Sequence, residues 1–540
     1  MSNNLFNTES LLFTPAIPES NAIPIIFAFP NEYSVGITSL GYQVVWATLA
    51  MRSDLQVSRL FTDINEPLPK QAELFGFSLS WELDYVNIFD ILESWEIPIR
   101  AKNRRGKNYP IIFGGGPVLT ANPEPFADFF DVILLGDGEN LLGYFIEAYK
   151  EVRGAEKQVQ LKRLSQVPGV YIPSLYEVTY EGTNGAIKSI EPIDKDIPAV
   201  LQKQTYRGNS LSASTVVTEK AAWENIFMVE VVRSCPEMCR FCLASYLTLP
   251  FRSASLEGSL IPAIARGLTV TKRLGLLGAS VTQHPEFESL LDYLSQSKYD
   301  DIRLSIASVR TNTVTEKLAK ILANRDTKSI TIAIESGSDR LRKIINKKLE
   351  NEEIIQAAIN AKAGGLKRIK FYGMVGLPGE ESEDLDATVE MILTLKKAVP
   401  GLRLSLGCST FVPKSHTPFQ WFGVNYHSEK RLKFLEKKLR LKGIDFRPES
   451  YKWSVIQGLI SRGDRRLSHL LELVRNYGDS LGSYKRAFKE LRGKLPELDF
   501  YVFDNWELER ILPWNHIQGP LSEATLKKHL AEATVLIKKK

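Results

Sequence analysis

Short apolar runs alternate with amphipathic stretches from about residue 20 to residue 155. IPIIFAFP from Ile23, LFGFSLS from Leu74, YPIIFGGG from Tyr109 and DVILLGDGE from Asp131 are almost continuously apolar. Such runs predict strands covered on both faces, as in parallel sheets. LGYQVVWATLAMRS, after the first run, has helical spacing. The alternation predicts a doubly wound α/β domain, Rossmann or flavodoxin-like, over 20–155, behind a polar N-terminal tail, 1–19. Over 156–220 the pattern breaks into β-rich pieces separated by Pro, Gly and Asn-Gly, which predicts a β-rich linker with a hairpin turn at Thr183–Gly185. The strand–helix rhythm returns over 221–428 with FMVEVVR, RLGLLG, DIRLSIAS, SITIAIES, RIKFYGMVGLP and LRLSLGCSTF. Six such units predict a partial (β/α)6 barrel of TIM type. From 429 to 540 the chain reads as a mostly helical, basic region, as in SEKRLKFLEKKLRLKG, whose charges form solvated faces.

Composition narrows the class. A chain of 540 residues exceeds one hydrophobic core and divides into domains. A formal net charge of +5 permits an anionic partner without demanding one, so nucleic acid is not indicated. MSNNLFNTES lacks the basic and apolar regions of a signal peptide, and no run approaches the roughly 18 apolar residues of a membrane span. Four cysteines in this length form no disulfide scaffold, which favours a reducing, cytoplasmic setting and no membrane.

Three of those cysteines fall in EVVRSCPEMCRFCLASY, as Cys235, Cys239 and Cys242. A structural zinc site wants a fourth Cys or His nearby. The nearest histidine is His284 and the remaining cysteine is Cys408. Three thiolates can hold a [4Fe-4S] cluster and leave one iron open, where four would close it. Cys408 shares a strand face with Leu404 and Leu406 and reads as a small buried hydrophobe.

This segment resembles the signature of the radical S-adenosylmethionine (radical SAM) superfamily, and a strand precedes it as the family requires. The resemblance implies that SAM chelates the open iron through its amino and carboxylate groups. It also implies reductive cleavage of SAM to methionine and a 5′-deoxyadenosyl radical, with electrons from an external flavodoxin- or ferredoxin-type donor. Phe241, before the third cysteine, is then expected beside the adenine. Where the family has Gly-Gly-Glu, contacting the SAM amino group, this chain has Gly278-Ala279-Ser280, so Gly278 and Ala279 are left to serve through backbone carbonyls. ITIAIES resembles the fourth-strand region. Strand alternation puts Thr331, Ala333 and Glu335 on one face, so Glu335 points into the barrel toward the ribose or amino group of SAM, or forms a structural salt bridge. KFYGMVGLPGE resembles the fifth-strand motif, with the turn Gly376-Leu377-Pro378 beside the adenine. FVPKSHTPFQW resembles a closing segment that brings Lys414, His416 and Gln420 to the barrel mouth, where His416 is an acid–base candidate or a loop-structuring residue.

A doubly wound domain ahead of such a barrel resembles the cobalamin-binding radical SAM proteins. The resemblance implies that the loops of Gly114, Gly115, Gly116, Gly136 and Gly138 receive the nucleotide tail of the corrinoid. The Asp-x-His-x-x-Gly motif is absent, and no histidine precedes His284. The domain therefore either binds cobalamin without a histidine below the metal or has lost the cofactor. It also lacks cysteine, so the second cluster of methylthiotransferases is not expected. The leading expectation is a radical SAM enzyme, in its most specific form a cobalamin-dependent methyltransferase. The alternatives are radical chemistry without cobalamin and, in a different class, a non-catalytic metal-binding scaffold. The substrate is not legible.

Overall fold

The strands of the first domain are β1 Ile23–Ala28, β2 Leu55–Leu60, β3 Leu74–Ser78, β4 Ile111–Gly115, β5 Val132–Leu134 and β6 Val170–Tyr171. They lie in the order β2-β1-β3-β4-β5-β6, parallel except for β6. This is the flavodoxin-like order, with its switch point between β1 and β3. The computed structural model describes residues 5–105, 108–307 and 309–539. The continuous apolar runs have a direct cause. Ile26, Ala28, Phe75, Phe77 and Ile112 pack into the core on one face, and Ile25, Phe27, Leu74 and Phe113 into that on the other.

The edge strand and the N-terminal segment depart from the sequence reading. β2, LQVSRL, has no apolar run because it is an edge strand whose Gln56 is exposed. The 1–19 segment is not a free tail from Leu5 onward. Ser10–Leu11 pairs with Val216–Val217, and the Glu9 carboxylate accepts both Nη groups of buried Arg59 at 2.8 Å. Residues 1–4 lie outside the described residues. In the 156–220 stretch, helix Lys157–Leu164 precedes β6, and the hairpin Tyr176–Tyr180/Ile187–Pro192 turns around Thr183–Gly185.

The second α/β unit has β7 Ile226–Glu230, β8 Arg273–Leu277 and β9 Arg303–Ile306 in one parallel sheet. A second parallel sheet holds β10 Ser329–Glu335, β11 Arg368–Val375, β12 Arg403–Thr410 and β13 Asp445–Pro448. A parallel bridge between Val309 and Ile332 links the two. β7–β12 coincide with the six sequence runs. β13 lies past residue 428, inside the stretch read as helical. Of its four residues only Phe446 is buried, too little to mark a strand in the sequence.

Helices Tyr451–Arg462 and Leu467–Asn476 of the C-terminal region do not stand apart. Their Val455, Leu459, Leu470 and Leu471 complete the core that covers one face of the N-terminal sheet. Fully buried Arg462 donates to the carbonyls of Tyr501, Val502 and Asp504, which ties in the following segment. Among the described residues no helix is long and apolar enough to cross a membrane.

Candidate functional site

The three cysteines sit on the loop that leaves β7. Two backbone positions give that loop its shape: Ser234 at φ 70° and Met238 at φ 53° take the left-handed conformation. Hydrogen bonds with the segment after β10, and one from the helix that follows the loop, hold it there. The Asn346 amide donates to the carbonyls of Glu237 and Met238, at 3.2 and 3.0 Å. The Arg240 guanidinium donates to the Lys343 and Ile344 carbonyls, and Tyr246 Oη to that of Met238. Cys242 caps the short helix Leu243–Leu247.

Cys239 is buried, and Cys235 and Cys242 are half-buried. Burial pushes the Cys239 thiol up to about 12 and raises that of Cys242, and the neighbouring thiols and Glu335 add to both rises. Such thiols do not ionise at neutral pH unless a cation takes the charge. Among the described residues no three His, Cys, Asp or Glu side chains close to single-ion distances. Three thiols on one loop are a donor set that suits a cluster in which each thiolate takes its own iron.

Glu335 ends β10 at φ 64°, after a register shift, and is buried. It accepts from Lys347 Nζ at 3.1 Å. Burial opposes the Lys347 charge, yet Glu335 and the cysteines raise its pKa overall. A buried ion pair therefore stands within electrostatic reach of Cys239 and Cys242. Gly278 has φ 149°, and a Cβ there would lie 2.6 Å from the Val232 carbonyl, while Ala279 is exposed. Gly376 at φ 77° is buried and donates its N–H to Glu380 Oε2 at 2.6 Å. Leu377 belongs to an apolar cluster against which Phe241 packs, and Pro378 is half-buried at its edge. Cys408 is buried among Leu404, Leu406 and the rest of the main core.

The carboxyl ends of β1, β3, β4 and β5 open onto a crevice of about 230 Å³. Phe27, Phe77, Phe113 and Leu142 form its apolar walls, and Gly115, Gly116, Gly136 and Gly138 line it. Gly114 does not: a Cβ there would run into Phe130 and Leu119 of the core. Gly116 and Gly136, at φ 116° and 111°, are required by the backbone, for a Cβ would strike the carbonyls of Leu79 and Gln204. Gly41 and Gly115 have no such reason, since a Cβ meets nothing within 4 Å at the first and only Leu134, at 3.7 Å, at the second. They leave room in the crevice that the fold itself does not need.

Arg233 joins this crevice to the cluster loop, pairing with Glu139 at 2.7 Å and Asp137 at 3.4 Å, while Arg252 pairs with Asp137 at 2.6 Å. A neighbouring cavity of about 210 Å³ shares Ser80 and Pro117 with the crevice. It reaches Leu243, beside Cys242, and holds the ion pair of Lys414 with Glu82 at 2.6 Å. Lys414 thus lies at the domain boundary.

Of the two readings of His416, the geometry favours the loop-structuring one. It is buried, at φ 58°, against Trp514, and Gln420 accepts its backbone N–H. Burial lowers its pKa to about 4, which keeps the imidazole neutral near pH 7. His516 nearby is depressed to about 4 for the same reason. In the unfolded chain both titrate near 6.5. Their contribution to stability is therefore complete above pH 6.5 and is lost as pH falls toward 4, because only the unfolded chain takes up the protons. Urea titrations are expected to show each costing about 2 kcal/mol between pH 7 and pH 5, and His516→Gln should flatten that slope.

Fold and site together define an α/β protein with three grouped cysteines on the loop that leaves one parallel sheet and a glycine-lined crevice at the strand ends of another. The family described as radical SAM proteins, N-terminal matches residues 41–173, and the radical SAM superfamily matches residues 229–392. The chain thus carries a radical SAM domain behind an N-terminal domain of radical SAM proteins, and a [4Fe-4S] cluster and SAM are the cofactors that such a domain takes. An uncharacterised protein of Methanocaldococcus jannaschii is 28% identical over 466 residues, 86% of this chain and 94% of that protein. An uncharacterised methyltransferase of Pyrococcus horikoshii is 23% identical over 309 residues, 54% of this chain and 61% of its own. The structure of the radical SAM methyltransferase TsrM from Kitasatospora setae, with cobalamin and [4Fe-4S] cluster bound, aligns with a TM-score of 0.50 at 13% identity. It covers 74% of this chain and 77% of that one, a likeness of fold.

Proposed function

We propose that this protein is a cobalamin-dependent radical SAM methyltransferase. The observation that carries the reading is the glycine-lined crevice of the N-terminal domain, which adjoins a cavity reaching the cluster loop at Leu243. When bound, the cluster supplies an electron to SAM and the corrinoid supplies a cobalt that carries the methyl group. The chain's own residues do the rest. Cys235, Cys239 and Cys242 hold the irons. The Glu335–Lys347 pair sets the charge beside them. Phe241, Gly278, Ala279, Gly376, Leu377 and Pro378 frame SAM. Gly115, Gly116, Gly136 and Gly138 make way for the corrinoid. Among the described residues no histidine lines the crevice, so a corrinoid bound there would be held by its apolar walls and glycine loops. The ion pairs of Arg233 and Arg252 with Asp137 hold the two cofactor regions in fixed relation. An external flavodoxin- or ferredoxin-type protein provides the electron.

Anaerobic reconstitution with hydroxocobalamin tests this reading. Corrin absorption that stays with the protein through gel filtration is expected, about one corrinoid per chain. Turnover should then yield S-adenosylhomocysteine together with 5′-deoxyadenosine. A protein that cleaves SAM but retains no corrinoid sinks the methyltransferase reading and leaves 5′-deoxyadenosine as sole nucleoside product.

A further inference from the structure

In this chain Ser280 occupies the third position of the Gly-Gly-Glu segment, so the carboxylate expected after β8 is missing. The residues around Ser280 lead to another one. Ser280 Oγ donates to Gln283 Oε1 at 2.6 Å, and that oxygen lies 3.9 Å from Cys235 Sγ. Gln283 Nε2 in turn donates to Glu237 Oε1 at 2.6 Å. Glu237 is therefore held beside the first cluster cysteine, on the cluster loop itself, with its own carbonyl fixed by Asn346.

Its other partner is Arg310, from the loop after β9, with Nη1 2.5 Å from Oε1. Arg310 is anchored independently, through Nη2 to the Lys348 carbonyl and Nε to Asn312. Lys348 Nζ stands further off, at 3.9 Å. The Glu237 and Arg310 side chains are 16% and 18% exposed, so a ligand can reach the pair. Glu335, the other carboxylate near the cysteines, is occupied by Lys347. A carboxylate next to a guanidinium is the complement of an amino acid's amino and carboxylate groups. An amino group on iron has two N–H to donate and needs an acceptor, and the neighbouring carboxylate needs a cationic donor.

We propose that Glu237, oriented by Gln283 and Ser280, accepts from the SAM amino group in place of the missing Gly-Gly-Glu acid, while Arg310 turns from Glu237 to the SAM carboxylate. The assignment rests on SAM being the ligand of this cluster. Glu237 and Arg310 are positioning residues for SAM. If the pair is only a solvent-reachable salt bridge, breaking it changes little.

The test is anaerobic calorimetric titration of the cluster-loaded protein with SAM and with the analogue in which hydrogen replaces the α-amino group. Glu237→Gln is expected to weaken SAM binding about tenfold to a hundredfold and leave the analogue's affinity unchanged, so the preference for SAM shrinks by that factor. Arg310→Gln should weaken both compounds alike, since both keep the carboxylate. If Glu237→Gln loses its cluster, as an iron assay would show, Gln283→Leu reads the same ratio with the loop carboxylate in place, and the ratio should fall there too. An unchanged ratio in a cluster-loaded variant overturns the proposal. A cluster-loaded wild type that binds neither compound overturns the SAM reading and the assignment with it.

Discussion

Replacing any one of Cys235, Cys239 and Cys242 with Ala is expected to abolish the iron–sulfur absorbance and the iron content, while Cys408→Ala retains both. The asymmetry follows from where the sulfurs lie. The first three share one loop, and burial leaves the Cys239 and Cys242 thiols protonated near neutral pH unless a cation takes their charge. Removing one leaves a cluster with two thiolates and no fourth ligand on the loop to compensate. Cys408 lies on β12 within the main core, flanked by Leu404 and Leu406, and its Sγ makes only a long 4.0 Å contact with the Ser409 carbonyl. Losing that sulfur should cost about 1 kcal/mol of packing and no iron. Iron assay and visible absorbance after anaerobic reconstitution decide the matter. Loss of the cluster in Cys408→Ala would mean that the open iron has been wrongly assigned.

The cysteine loop was legible because its chemistry is local: three thiols in eight residues need no tertiary information. The strands that follow continuous apolar runs were legible for a similar reason, since both faces of each must be covered. β2 and β13 were not, because few of their positions are forced to be apolar. The face of Glu335 followed from period two, but its partner Lys347 comes from a loop beyond the next helix. The two readings of His416 could not be separated in the sequence because Trp514 and Gly519, about a hundred residues downstream, cover it. Glu237, Gln283 and Arg310 went unnoticed because they meet from three separate loops. The one available signal was an acidic residue inside the Cys-x3-Cys spacing. The glycines before Pro117 could have been sorted further, because alternate residues of a strand face opposite ways and Gly114 and Gly115 cannot share a surface.

That sorting leads to a pair of glycine variants with opposite outcomes. Gly115→Leu is expected to fold with a stability within about 1 kcal/mol of wild type, because a Cβ there meets only ordinary contact with Leu134. Its branched side chain enters the 230 Å³ crevice and should eliminate corrinoid retention, with iron content unchanged. Gly136→Ala should do the reverse damage. At φ 111° a side chain is strained, and its Cβ would lie 2.1 Å from the Gln204 carbonyl. That carbonyl accepts from the Asp137 N–H while the Gln204 N–H donates to Leu135, so relief of the clash breaks the linker from the end of β5. A loss of roughly 2–4 kcal/mol is expected. Asp137, the partner of Arg233 and Arg252, would shift with it, loosening the contact between crevice and cluster loop. Thermal melts paired with corrin absorbance separate the two effects. If Gly115→Leu melts like wild type and still retains corrinoid, the crevice at the ends of β1, β3, β4 and β5 is not where the corrinoid lies, and the cobalamin reading loses the observation that carries it.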